Sequence, residues 1–114
     1  MTYIDSKVTI ALSEKDKEEL KSKLEKIVDD IPGKSSKFLM VGFEDNYSLY
    51  FKWKKLEYGA FVEVKFFGRV TEDSMQQVTK EICKLYNDKL DIPPKSIYVK
   101  FEEVDTWGWN GSTR

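Results

Sequence analysis

Ile31-Pro32-Gly33-Lys34-Ser35-Ser36-Lys37-Phe38-Leu39-Met40-Val41-Gly42-Phe43-Glu44 and Ile92-Pro93-Pro94-Lys95-Ser96-Ile97-Tyr98-Val99-Lys100-Phe101-Glu102 are two versions of one phrase. Each runs from an Ile-Pro step through Lys-Ser into an apolar stretch that closes on Phe-Glu. Proline disfavours helix in the residue before it, so each copy marks a helix ending and a strand beginning. The segments upstream agree. Leu20, Leu24, Ile27 and Ile31 recur at helical spacing behind Ser13, with Asp16 three residues on as a variant capping box. This predicts a helix from Ser13 to about Asp30. Met75, Val78, Ile82 and Leu85 form a second apolar stripe behind Thr71, ended by Pro93-Pro94. Glu72 and Asp73 stand in its first turn, where the helix dipole favours acids.

Strands fill the remaining positions. Tyr3 to Leu12 alternates, with Ile4, Ser6, Val8 and Ile10 on one face and Asp5, Lys7 and Thr9 opposite. Phe38 to Phe43 is an apolar strand, Asp45-Asn46 a turn, Tyr47 to Trp53 a short aromatic strand and Lys54 to Gly59 a loop. Ala60 to Val70 alternates again, Ile97 to Phe101 is the last main strand, and Val104 to Gly111 is aromatic and rich in turns. The order is β-α-β-β-α-β with a C-terminal extension. This is an α/β (α+β) arrangement of two β-α-β units sharing a four-stranded sheet, with both helices on one face. The other face is then uncovered. Phe61, Val62, Val64, Phe66 and Phe67 cannot all point one way, and 16 aromatics stand in 114 residues. An exposed apolar sheet face predicts an oligomer or a ligand-covered sheet.

The length fits one domain over residues 1–114. Nineteen basic and twenty acidic residues leave a net charge of −1, so no global field draws nucleic acid or anionic membrane. The dense run Lys52-Trp53-Lys54-Lys55 reads as a solvated loop. The absence of histidine excludes Ser-His, Cys-His and His-ligated metal chemistry within one chain. Cys83 is the sole cysteine and reads as a small core residue; it forms neither an internal disulfide nor a two-cysteine zinc site. Glu102, Glu103 and Asp105 make a poor metal set, because adjacent strand residues face opposite sides. No metal and no cofactor are expected. No apolar run is long enough to span a bilayer, and no signal peptide is evident, so a cytoplasmic location, or export without a leader, is expected.

The C-terminal Ile97-Tyr98-Val99-Lys100-Phe101, followed by Trp107-Gly108-Trp109-Asn110-Gly111-Ser112-Thr113, closely resembles the end of the macrophage migration inhibitory factor (MIF) and phenylpyruvate tautomerase family. Gly33-Lys34 resembles that family's Gly-Lys, and Phe67-Gly68-Arg69 its Ile-Gly-Lys. The resemblance runs over nearly the whole chain. It implies a homotrimer whose sheets line a central barrel, with active sites between subunits and keto–enol isomerisation of phenylpyruvate-like aromatic keto acids. It implies roles as well. Lys34 matches the cation that holds the substrate carboxylate, and Tyr98 matches the hydrogen-bond donor. Phe38, Phe67 and Trp109 match pocket walls, and Lys100 stands where the family has asparagine. Thr2 occupies the place of the N-terminal proline that serves the family as catalytic base. If Met1 is removed, the amine of Thr2 is a weaker base in the same place; if Met1 stays, the amine is displaced by one residue and the pocket is partly plugged. Weak or lost activity is the expectation.

Two other classes compete. One is a non-catalytic signalling or interaction protein on the same trimeric scaffold. The other is an RNA-recognition module, which shares the β-α-β-β-α-β order; Tyr58-Gly59-Ala60-Phe61-Val62-Glu63-Val64 superficially resembles its base-stacking strand. That match lacks the leading basic residue, and the near-neutral charge opposes it.

Overall fold

A computed structural model describes residues 1–114. Strand β1 (Thr2–Val8) leads to helix α1 (Glu14–Asp29), then β2 (Leu39–Glu44) and a small hairpin of β3 (Tyr50–Phe51) and β4 (Lys54–Lys55). Strand β5 (Ala60–Phe67), helix α2 (Glu72–Leu90) and β6 (Ile97–Val104) repeat the pattern, and β7 (Gly108–Trp109) with β8 (Ser112–Thr113) closes the chain. The main sheet has the order β2-β1-β5-β6. β1 runs parallel to β2 and β5 parallel to β6, while the central pair β1–β5 is antiparallel. The two β-α-β units therefore meet through their first strands. The repeated phrase does the same work in each: short 3₁₀ turns at Ser36–Phe38 and Pro94–Ser96 feed β2 and β6.

Local chemistry sets the helix ends. The Ser13 hydroxyl accepts from the Asp16 amide at 3.0 Å while the Ser13 amide donates to the Asp16 carboxylate at 3.1 Å, closing the expected capping box. The Thr71 hydroxyl accepts from the Ser74 amide at 3.1 Å. α2 stops at Leu90 because Asp91 turns left-handed at φ 58°, ahead of the two prolines. Leu20, Leu24, Ile27 and Val28 of α1 and Val78, Ile82 and Leu85 of α2 pack on Ile4, Val8, Val62, Val64 and Phe66 of the sheet. Buried among them, Ser6 and Tyr86 share a hydroxyl–hydroxyl hydrogen bond.

Four strand expectations change, the last main strand among them, which continues past Phe101 to Val104. The first strand ends at Val8, since Thr9 leaves the ladder to bond the Glu57 carbonyl and the Gly59 amide through its hydroxyl. The aromatic strand shrinks to Tyr50–Phe51, because Lys52 and Trp53 both take positive φ and turn the chain back, making Lys54 and Lys55 a strand rather than a loop. The third main strand stops at Phe67, where Gly68 adopts φ 93°, a conformation that favours glycine.

The uncovered sheet face also differs from expectation. Its centre is charged: the Lys7 ammonium lies 3.3, 3.4 and 3.7 Å from carboxylates of Asp5, Glu44 and Glu63. Lys100 pairs with Glu102 at 3.5 Å on the same face. The aromatic excess sits at the two ends. Phe51, Phe61 and Tyr98 cluster at one, and Phe38 with Trp109 and Phe67 with Trp107 at the other. Both outer strands, β2 and β6, keep an open hydrogen-bonding edge. Tyr58 lies outside β5, and Phe61 shares its face with Lys7 and Glu63, so the base-stacking surface of an RNA module is not formed.

Candidate active site at the Met1 end of the sheet

The chain start is held inside the sheet. The Phe67 amide donates to the Met1 carbonyl at 3.0 Å, extending the β1–β5 ladder by one step. Lys34, carried past the end of α1 by the turn at Gly33, donates from Nζ to the Phe67 carbonyl at 2.8 Å. The left-handed Gly68 swings the chain away after Phe67; a β-carbon there would lie 3.8 Å from the Lys34 ammonium. Burial holds the Met1 amine below its ordinary value of 8.0, and the Lys34 charge lowers it further. An amine so depressed carries its free electron pair nearer neutral pH, as a general base requires.

A cleft of about 620 Å³ opens beside this chain end, with Met1, Thr2, Phe38, Trp107 and Trp109 among its walls. The rings of Phe38 and Trp109 meet edge to face at 5.3 Å between centroids. Lys37 and Lys65 also line it, and no lining residue is acidic.

Of the residues singled out in the sequence, Thr2, Phe38 and Trp109 reach this cleft. Thr2 itself is buried in β1. Phe67 backs the cleft rather than lining it, with its ring against Trp107 at 6.4 Å. Lys34 is not among the lining residues; its ammonium is tied to the Phe67 carbonyl and acts electrostatically on the Met1 amine. Tyr98 and Lys100 are elsewhere. Tyr98 opens β6, in register with Phe61, whereas Val104 at the far end of β6 is in register with Phe67. Six residues of strand separate the two ends, roughly 20 Å. Tyr98 lines a second, smaller apolar cleft of about 210 Å³ with Phe51, Leu56 and Phe61. One copy thus carries two separate clefts at opposite ends of its sheet.

Sequence reasoning missed Lys37 and Lys65 as cleft residues. Lys65 was within reach: it shares a strand face with Phe67 two residues on. Cys83 packs partly buried against the core, and burial pushes its thiol above the ordinary value, which suits an inert side chain.

Two β-α-β units sharing one mixed four-stranded sheet, with both helices on one face, make up the tautomerase fold. The family model described as macrophage migration inhibitory factor matches residues 1–114. The chain belongs to that family. Leishmania major MIF2 superimposes with a TM-score of 0.93 at 24% identity, over 100% of this chain and 97% of that one. The MIF homologue from Prochlorococcus marinus gives 0.82 at 30% identity, over 97% of each chain. The structure of Pt0534, described as inactivated by 2-oxo-3-pentynoate, gives 0.83 at 18% identity, over 96% of this chain and 93% of that one. No curated protein matched the chain.

Proposed function

We propose that the protein is a keto–enol isomerase of phenylpyruvate-like 2-oxo acids, working as a homotrimer and slowed by threonine in the place of the family proline. The observation that carries this reading is the aromatic-walled cleft lined by Met1 and Thr2, beside which burial and the Lys34 charge lower the pKa of the amine that Met1 carries. The chemistry needs little else. The amine takes a proton from the carbon next to the substrate carbonyl, and the freed pair forms the carbon–carbon double bond. The carbonyl π pair moves to oxygen, which takes up a proton from solvent while the ammonium gives its own back to solvent, so the amine is regenerated; ketonisation runs the same steps in reverse. Lys34 holds the substrate carboxylate with the ammonium hydrogens not given to Phe67. Tyr98, with Lys100 beside it on the same strand face, comes from a neighbouring copy whose opposite end meets the cleft. The open edges of β2 and β6 leave backbone groups that a neighbouring copy can pair. That a 2-oxo acid inactivates Pt0534, of the same fold, supports the substrate class.

A second reading, a non-catalytic interaction protein on the same scaffold, is favoured by Met1, whose side chain occupies part of the cleft wall. Decay of enol-phenylpyruvate absorbance separates the two when paired with intact mass. With Met1 absent, slow turnover that rises at least tenfold in Thr2→Pro supports the isomerase. No turnover by either protein, with mass showing the methionine gone, leaves the non-catalytic reading.

A further inference from the structure

Resting on the isomerase reading above, we propose that the cleft selects a doubly charged substrate: an aromatic 2-oxo acid with a second carboxylate at the ring end. Lys37 and Lys65 would be the residues that read that second charge. A singly charged keto acid needs one cation, and Lys34 stands beside the amine to supply it. Two further lysines face the cleft, and nothing acidic lines it.

Neither lysine is spent on a strong internal partner. Lys37 lies over the Phe38 ring at 5.4 Å, and no carboxylate approaches it within ion-pair distance. Lys65 is half-buried, and its one carboxylate contact, to Glu63, is at the 4.0 Å limit. Glu102, its register partner on β6, turns to Lys100 instead. An anion that reaches both ammonium groups forms charge-assisted hydrogen bonds with each, and no acid of the cleft competes for them. Their placement fits the ring end. Lys37 stands over Phe38, half of the aromatic wall with Trp109, and Lys65 lies in register with Tyr3 across the floor.

The test is binding of phenylpyruvate and of 4-carboxyphenylpyruvate to the full chain, read from tryptophan fluorescence and by calorimetry. The expected result is at least tenfold tighter binding of the dianion at low salt, a preference that shrinks as salt is raised. Lys37→Gln and Lys65→Gln should each reduce the preference, and together abolish it. Both side chains reach solvent, and circular dichroism confirms that the variants fold. Equal affinity for the two ligands overturns the proposal and leaves the isomerase reading standing. So does a preference that survives the double substitution. Failure of both ligands to bind overturns the two together.

Discussion

Lys34 donates a hydrogen bond of 2.8 Å to the carbonyl of Phe67, a residue whose amide in turn holds the Met1 carbonyl. The lysine is thereby fixed beside the chain-terminal amine, and its charge is the second cause of that amine's lowered pKa, after burial.

Lys34→Met should raise the amine pKa. Removing a nearby positive charge makes protonation easier, so the midpoint moves up, although burial keeps it below 8.0. The basic form is then reached at higher pH, and any base-dependent rate profile shifts to the alkaline side. NMR titration of the ¹⁵N-labelled terminal amine measures this directly. A midpoint that stays put or moves down removes Lys34 from the site's electrostatics.

The fold was legible because its decisive signal is local. The Ile-Pro to Phe-Glu phrase appears twice, and each copy lies at a helix-to-strand junction with a 3₁₀ turn. The caps at Ser13 and Thr71 are equally local. The uncovered sheet face was misjudged because alternation assigns Asp5, Lys7 and Glu63 to a face without saying that they meet. Their meeting depends on the β1–β5 register, which brings Asp5 opposite Glu63. Tyr86 went unnoticed for the same reason: its hydroxyl meets Ser6 across 80 residues of chain. The candidate site residues came from resemblance, and of them Thr2, Phe38 and Trp109 line the cleft. Lys37 and Lys65 were not found, since a surface lysine and a cleft lysine look alike in sequence.

If a complete site joins the two clefts of different copies, inactive variants should rescue each other. Lys34→Met and Tyr98→Phe each damage one end of the sheet. Mixed subunits, unfolded and refolded together at equal amounts, place an intact Lys34 beside an intact Tyr98 in about a quarter of sites. Activity of the mixture should recover accordingly, against near-zero for either parent. A mixture as inactive as its parents, with subunit exchange shown by mass, means that one copy holds the whole site.

The β3–β4 turn is strained. Lys52 and Trp53 hold φ values of 51° and 67°, positions that Asn-Gly fills best, and the Trp53 side chain is 99% exposed. Replacing the pair by Asn-Gly should stabilise the fold by about 1 kcal/mol, since left-handed backbone costs a residue with a β-carbon roughly that much. Urea unfolding gives the answer. A loss of stability would show that Trp53 makes contacts its exposure does not suggest.

The buried pair Ser6 and Tyr86 makes the clearest pH prediction. Their hydroxyls are bonded to each other in the layer between sheet and helices, where no water is at hand to replace either. Ser6→Ala strands the Tyr86 hydroxyl and should cost about 1–3 kcal/mol. Tyr86→Phe strands the serine, and the double variant should cost less than the sum because it leaves no orphan. Burial pushes Tyr86 up from 10.0 to about 12, with the Ser6 bond opposing in part. The neutral phenol is therefore favoured by folding, and its contribution is complete below the unfolded value of about 10. As pH climbs from there through about 12 the unfolded chain ionises first, and the contribution is lost. Urea unfolding at neutral pH and at about pH 11 should show wild type losing more stability than Tyr86→Phe. Equal losses would mean that Tyr86 ionises as readily folded as unfolded, which its burial forbids.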